Sequence, residues 1–480
     1  MFKFKIIPDL EKNPKIVQFA QTILGKLVIW LLFSSIFWIL QFHHNKYFYL
    51  AQGFIWDKIF ILGLFISFPQ YKKKLLVLSS LYWLAIHSFP NWPMPVIKNL
   101  ATQSQNSNFF LYSSILSIVL ILLFTKILKK NVYNVAIVIS LITLGLIAIG
   151  PTCGGQFFLG ILGGSIIILG NFLWYWIFAL KDPHFRYWHL LTFMPFWTWT
   201  ILPIPKGWQY LNQTEAKNNQ DLARTQLKGL KLVAWSLVLA LVHLLMQTFI
   251  YGEQTIIQKV FLIDPKPLVM HIDKAIIFYQ TSQELSFTNN WLAVIANFFH
   301  SIFYLSIGTH TIVGIIRLCG WQVKRNVYRC FEARSISDFF NRYYYYFKEL
   351  LVEVFFFPTY FHFFKGHPNL RLFFATFMAA GVGNFLFHFT LDVSAISRLG
   401  YWETLQNYQL YALYCLLLSA GLFISQWCRI HGKFQQHLFL VRFRIFLFFM
   451  IINTFIESGN ISSLGKHLHF ILNLFMLDGT

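Results

Sequence analysis

The sequence predicts an all-α, polytopic integral membrane protein, and three observations carry that prediction: composition, a succession of apolar runs, and basic residues confined to the gaps between them. Of 480 residues, 56% are hydrophobic, 19% aromatic and only 12% charged, with a mean hydropathy of +0.55. That leaves too little polar surface for a water-soluble chain of this length. A bilayer core of about 30 Å takes about 20 apolar residues as a helix, and roughly eleven to thirteen transmembrane or re-entrant helices are expected on that measure. The ten-residue alternation of a membrane barrel is absent, which leaves helices.

The basic opening "MFKFKIIPDLEKNPK" meets no small-residue cleavage site before the run at 26–42, so a retained first helix with a cytoplasmic N-terminus is expected. Runs at 48–69 and 75–90 flank "YKKK" at 71–74, and runs at 109–128 and 132–150 flank "KILKK" at 126–130. The run at 156–180 contains "GILGG", whose small residues suit close helix approach. After 187–204 comes a polar, basic stretch at 206–231, expected on the cytoplasmic surface; a second polar stretch at 251–274 separates runs 229–250 and 288–318. Further runs follow at 350–364, 370–391, 406–428, 440–456 and 466–477, with basic patches at 317–348 and 429–444. The pattern is that of a multi-pass protein of the cell's inner (plasma) membrane obeying the positive-inside rule.

The formal charge of +21 is distributed among those patches, and no soluble module is present, which argues against nucleic acid as a partner. Five cysteines, Cys153, Cys319, Cys330, Cys415 and Cys428, include no C-x-x-C pair and do not read as a disulfide or zinc framework. The nucleophile-elbow, P-loop, zincin and dinucleotide motifs are missing. What stands out is "AAGVGNFLFHFTLD", where Asn384, His388 and Asp392 recur every four residues and so share one helical face. An ionisable group inside a span faces protein, water or a partner, so this face is a functional candidate, the alternative being a packed histidine. His243, His300 and His310 lie in apolar runs and read as satisfied core residues; "HLH" at 467–469 points its imidazoles to different faces.

A second polar concentration precedes it, "FNRYYYYFKELLVEVFFFPTY" at 340–360. Read as one continuous helix, it places Asn341 and Tyr345 on one face and Arg342, Glu349 and Glu353 on another as a neutralised strip. An interfacial aromatic belt is the competing reading for its tyrosines.

Other segments fall in a telling order. "FMPFWTWTILPIPKGWQYL" at 193–211 is an aromatic span ending in a proline turn, with Leu202 before Pro203. "IGTHTIVGIIRLCGWQVKRNVYRCFEARSISDFFNRYYYYF" then presents Arg317, Leu318, Gly320, Asn326, Ser335, Asp338, Phe339, Phe340, Asn341 and Arg342, and the histidine-bearing helix follows. This ordered set resembles the membrane-bound O-acyltransferases, over roughly residues 150–430. The resemblance implies 1–150 as N-terminal membrane helices, 151–430 as a core with a reaction tunnel and 431–480 as C-terminal helices, all one membrane domain.

It further implies transfer of an acyl group from a cytoplasmic thioester, an acyl-CoA or acyl-carrier co-substrate, to a hydroxyl of an envelope glycan, lipid or similar acceptor, with no bound cofactor or metal. Accessory envelope proteins belong to the same picture, beside the bilayer, as partners. His388 is then the general base, with Asn341 as its catalytic companion across the tunnel, while Asn384, Arg342, Tyr344 and Tyr345 bind substrate. The chain departs from the family pattern at two points: Tyr343 and Tyr344 replace Trp-His, and Asn384 stands where the family has histidine, with His388 one turn later. A catalytically inactive scaffold or transport partner is the alternative function; a secondary transporter would show a two-half repeat, which is not seen.

Overall fold

The computed structural model describes residues 6–40, 55–88, isolated positions between 174 and 204, 206–280, 286–391, 401–432, 438–457 and 464–475. The described residues are helical, and they include six helices long and apolar enough to cross a membrane. The chain is an all-α, multi-pass membrane protein. The expected runs at 109–128 and 132–150, and Asp392, lie outside the described residues.

The chain forms two compact units that interleave in sequence, one from 1–238, 307–326 and 390–401, the other from 239–306, 327–389 and 402–480. In the first unit, α1 (Pro14–Gln21) starts where Asn13 accepts from the Lys15 and Ile16 amides and Pro14 fills a position that needs no donor. Helices α2 (Ile23–Leu40) and α3 (Ile55–Ser67) pack together, with Trp30 Nε1 donating to the Ile59 carbonyl at 2.8 Å. The outer face of α2 leaves Ile23, Leu24, Leu27 and Leu31 exposed, an apolar surface that only lipid solvates well. α4 (Lys72–Ser88) begins at a buried lysine, Lys72, 3.4 Å from Glu215, beyond the short α5 (Gly207–Gln213).

α6 (Asn219–Phe249) and α9 (Phe287–Leu318) are the two longest helices described, and glycines decide how they meet in the first unit. A Cβ on Gly229 would lie 2.7 Å from the Gly314 carbonyl oxygen and 2.9 Å from the Leu318 nitrogen. The backbones touch because neither position has a side chain. α9 ends at Gly320, whose φ of +98° an L side chain rarely adopts, and Arg317 closes the turn by donating to the Val323 carbonyl.

The second unit holds α7 (Ile256–Phe261), α8 (Ile272–Gln280), α10 (Ile336–Tyr343) and α11 (Tyr345–Leu351). A π-helical segment, Val352–Phe356, links α11 to α12 (Phe357–His362). α13 (Pro368–Thr376) runs through a second π-helical segment, Phe377–Gly383, into α14 (Asn384–Leu391). The unit is completed by α15 (Tyr401–Asn407), α16 (Gln409–Ile430), α17 (Leu438–Glu457) and α18 (Leu464–Asn473). A core of Ile272, Ala275, Ile276, Ala293, Val294, Phe470 and Leu474 ties α8, α9 and α18 together.

Candidate functional site

Ser335 starts α10 by accepting from the Asp338 amide at 2.9 Å, while Asp338 accepts in return from the Arg334 amide at 3.0 Å. Asp338 also holds Arg342, one turn on, at 3.0 Å, and Glu332 lies 4.0 Å from the same guanidinium. The strip expected from Arg342 to Glu349 and Glu353 therefore requires correction. Its premise was a continuous helix, and the helix breaks at Tyr344 (φ −136°, ψ 52°). The physical reason is local: the Arg342 carbonyl, which an unbroken helix would offer to the Tyr346 amide, accepts instead from the Tyr328 amide at 2.6 Å. Helical faces counted through the four tyrosines do not carry across that break.

Asn341 is exposed on α10. Tyr343 donates to the Ser301 carbonyl at 3.3 Å, and Tyr344 packs its ring against Phe347 with centroids 5.7 Å apart. Tyr345 lies beneath Lys348, whose ammonium is 5.4 Å from its ring centroid; Lys348 also pairs with Glu349.

The two π-helical segments face each other. A π turn inserts one residue into an α-helix and recurs at functional sites. Pro358 accounts for the first, since it cannot donate to the Val354 carbonyl; the second falls on the small residues of "MAAGVG". A Cβ on Gly383 would meet the Phe355 ring at 2.5 Å, so the glycine is what admits that ring. Beside this crossing lies a cavity of about 80 Å³ lined by Ser337, Phe347, Lys348, Ala379, Ala380 and Asn384 among others. Thr376 donates to Gln426 at its edge, at 3.2 Å.

Asn384 and His388 do share a face, as their spacing predicts. Asn384, buried, accepts a hydrogen bond from the Tyr411 hydroxyl at 3.0 Å, and the His388 ring centroid lies 4.9 Å from that of Tyr411. Phe347 connects this pair to the cavity, for it lines the cavity and stands 5.5 Å from the His388 ring. His388 is half-buried; its backbone carbonyl accepts from Tyr408 at 3.2 Å, while no described residue hydrogen-bonds its ring nitrogens. An imidazole so placed keeps both nitrogens for a reacting group. His388 does not itself line the cavity.

No protein-family model matches this chain, and no curated protein matches it. The chemistry of the site rests on its geometry. Sequence reasoning passed over Tyr411 and Phe347, whose only signal is their position in apolar helices; His243 and His300, read there as satisfied core residues, hydrogen-bond each other at 3.0 Å.

Proposed function

We propose that the chain is a membrane-bound O-acyltransferase of the inner membrane, with a cytoplasmic N-terminus, moving an acyl group from an acyl-CoA or acyl-carrier thioester to an envelope hydroxyl. The observation that carries this reading is the Asn384–Tyr411–His388 grouping: an imidazole with open nitrogens and a buried carboxamide, one turn apart on a helix of membrane-spanning length. In this reading His388 takes the proton of the acceptor hydroxyl as the oxygen attacks the thioester carbonyl, and the proton then leaves on the thiol. Asn384 and Tyr411 position the acceptor or the carbonyl oxygen without adding charge. Lys348, which lines the cavity and pairs with Glu349, is a cation placed to meet a phosphate of the donor, as Arg342 is not shown to be.

A second reading, a catalytically silent scaffold of the same architecture, is favoured by the exposure of Asn341. One experiment separates the two. Envelope membranes carrying the protein are supplied with radiolabelled acyl-CoA, and label released by mild alkali is counted as ester. His388→Ala is expected to lower ester formation by roughly 10² to 10⁴, the usual worth of general-base assistance, without loss of inserted protein. Equal labelling by wild type and His388→Ala would support the scaffold.

A further inference from the structure

Three imidazoles and a carboxylate from separate stretches of sequence converge around the C-terminal end of α6. His243, fully buried on α6, shares a hydrogen bond with His300 of α9, Nε2 to Nδ1 at 3.0 Å. His271, just before α8, is hydrogen-bonded to Glu253 at 2.7 Å, and Gln247 donates to the other carboxylate oxygen at 2.9 Å. The side chains of His271 and Glu253 are 28% and 36% exposed, so this pair meets water while His243 does not. Between the two pairs, the His271 and His300 rings stand perpendicular with centroids 6.1 Å apart. Tyr251 walls the gap, stacked on His271 at 3.9 Å and edge-on to His300 at 5.8 Å, and Tyr304 covers the far side of His300 at 6.1 Å.

We propose that Glu253, His271, His300 and His243 form a proton relay that carries protons between the surface and the buried imidazole of His243 on a membrane-spanning helix. An imidazole can accept a proton on one nitrogen and release one from the other, so a hydrogen-bonded pair passes a proton along by exchanging tautomers. Either tautomer arrangement satisfies the His243–His300 bond, which makes the pair indifferent to which ring carries the proton. The exposed carboxylate collects protons, and its contact with His271 fixes that ring for onward transfer. Transfer between His271 and His300, whose ring centroids stand 6.1 Å apart, requires a bridging water. Among the described residues, Glu253, His271, Tyr251 and Tyr304 stand around the histidine pair, with the Glu253 carboxylate at the partly exposed end.

The relay goes beyond acyl transfer. In that reaction the hydroxyl proton ends on the released thiol, so no net proton is taken up and no path to the surface is required. A relay of this kind couples the protein to proton activity on one side of the membrane.

The test uses the full chain in lipid nanodiscs, without any acyl donor, so its outcome is independent of whether acyl transfer occurs. Infrared difference spectra of histidine-labelled protein are recorded across pH steps, together with the rate of histidine protonation after a pH jump. Wild type should show a coupled histidine step. His243→Gln keeps an amide that can hydrogen-bond His300 yet carries no proton, and should lose that step, leaving His300 to titrate alone. Glu253→Gln, at the partly exposed end, should keep the amplitude and slow the uptake. His300→Gln repeats the test from the other side of the pair should His243→Gln misfold. Histidine bands and uptake rates that match wild type in these variants would overturn the relay and leave a structural fastening.

Discussion

At the scale of single residues, hydrogen bonding decides which polar groups are engaged and which are left for chemistry. Glu253 illustrates the electrostatic side. The hydrogen bond from His271, first among its causes, holds its carboxyl below the ordinary glutamate value of 4.5 against the opposing effect of burial. A lowered folded-state value means that the unfolded chain binds the proton more readily, so the pair's stabilisation is complete above the ordinary range and is lost as pH falls through the lowered value. The difference in thermal unfolding between wild type and Glu253→Gln should therefore be largest near neutrality and vanish on acidification; a difference independent of pH would contradict it. The sequence discloses some of this grain. Gly320, read as part of a turn, sits where a turn residue is needed. It does not disclose that Tyr328 takes the Arg342 carbonyl, because that bond joins positions fourteen residues apart through the fold.

At the scale of elements, close helix contacts are set by small residues, as the composition of the spans suggests. Gly229→Ala is the sharpest probe, since the added methyl meets backbone atoms of the opposing helix that cannot rotate away. Destabilisation of about 1–3 kcal/mol is expected from such overpacking, read as a lowered midpoint of unfolding in detergent. Gly366→Ala, where nothing lies within 4 Å, serves as the control and should leave the midpoint in place. Six of the expected runs, at 26–42, 229–250, 288–318, 370–391, 406–428 and 440–456, coincide with described helices of spanning length, because lipid demands apolar residues over some twenty positions at a time. The break at Tyr344 and the two π-helical segments were not legible in the sequence, because each depends on one carbonyl or one tight contact rather than on a repeating pattern.

At the scale of the whole molecule, the membrane orientation follows from charge. Lys217 lies exposed in the basic stretch at 206–231, expected on the cytoplasmic side together with the N-terminus. A Lys217→Cys variant should resist a membrane-impermeant maleimide in intact cells and react once the membrane is opened; labelling in intact cells would reverse the orientation. The π-helical segment at 377–383 bears on something else, the meaning of distance along this chain. One surplus residue within an otherwise continuous helix turns everything beyond it by about 100° relative to everything before it. Thr376 and His388 thus belong to one rod but to two different angular frames. A fixed interval between conserved-looking letters then ceases to be a ruler for direction: two chains that aim an imidazole at the same point can differ by a residue in their spacing, and two with identical spacing can aim it apart.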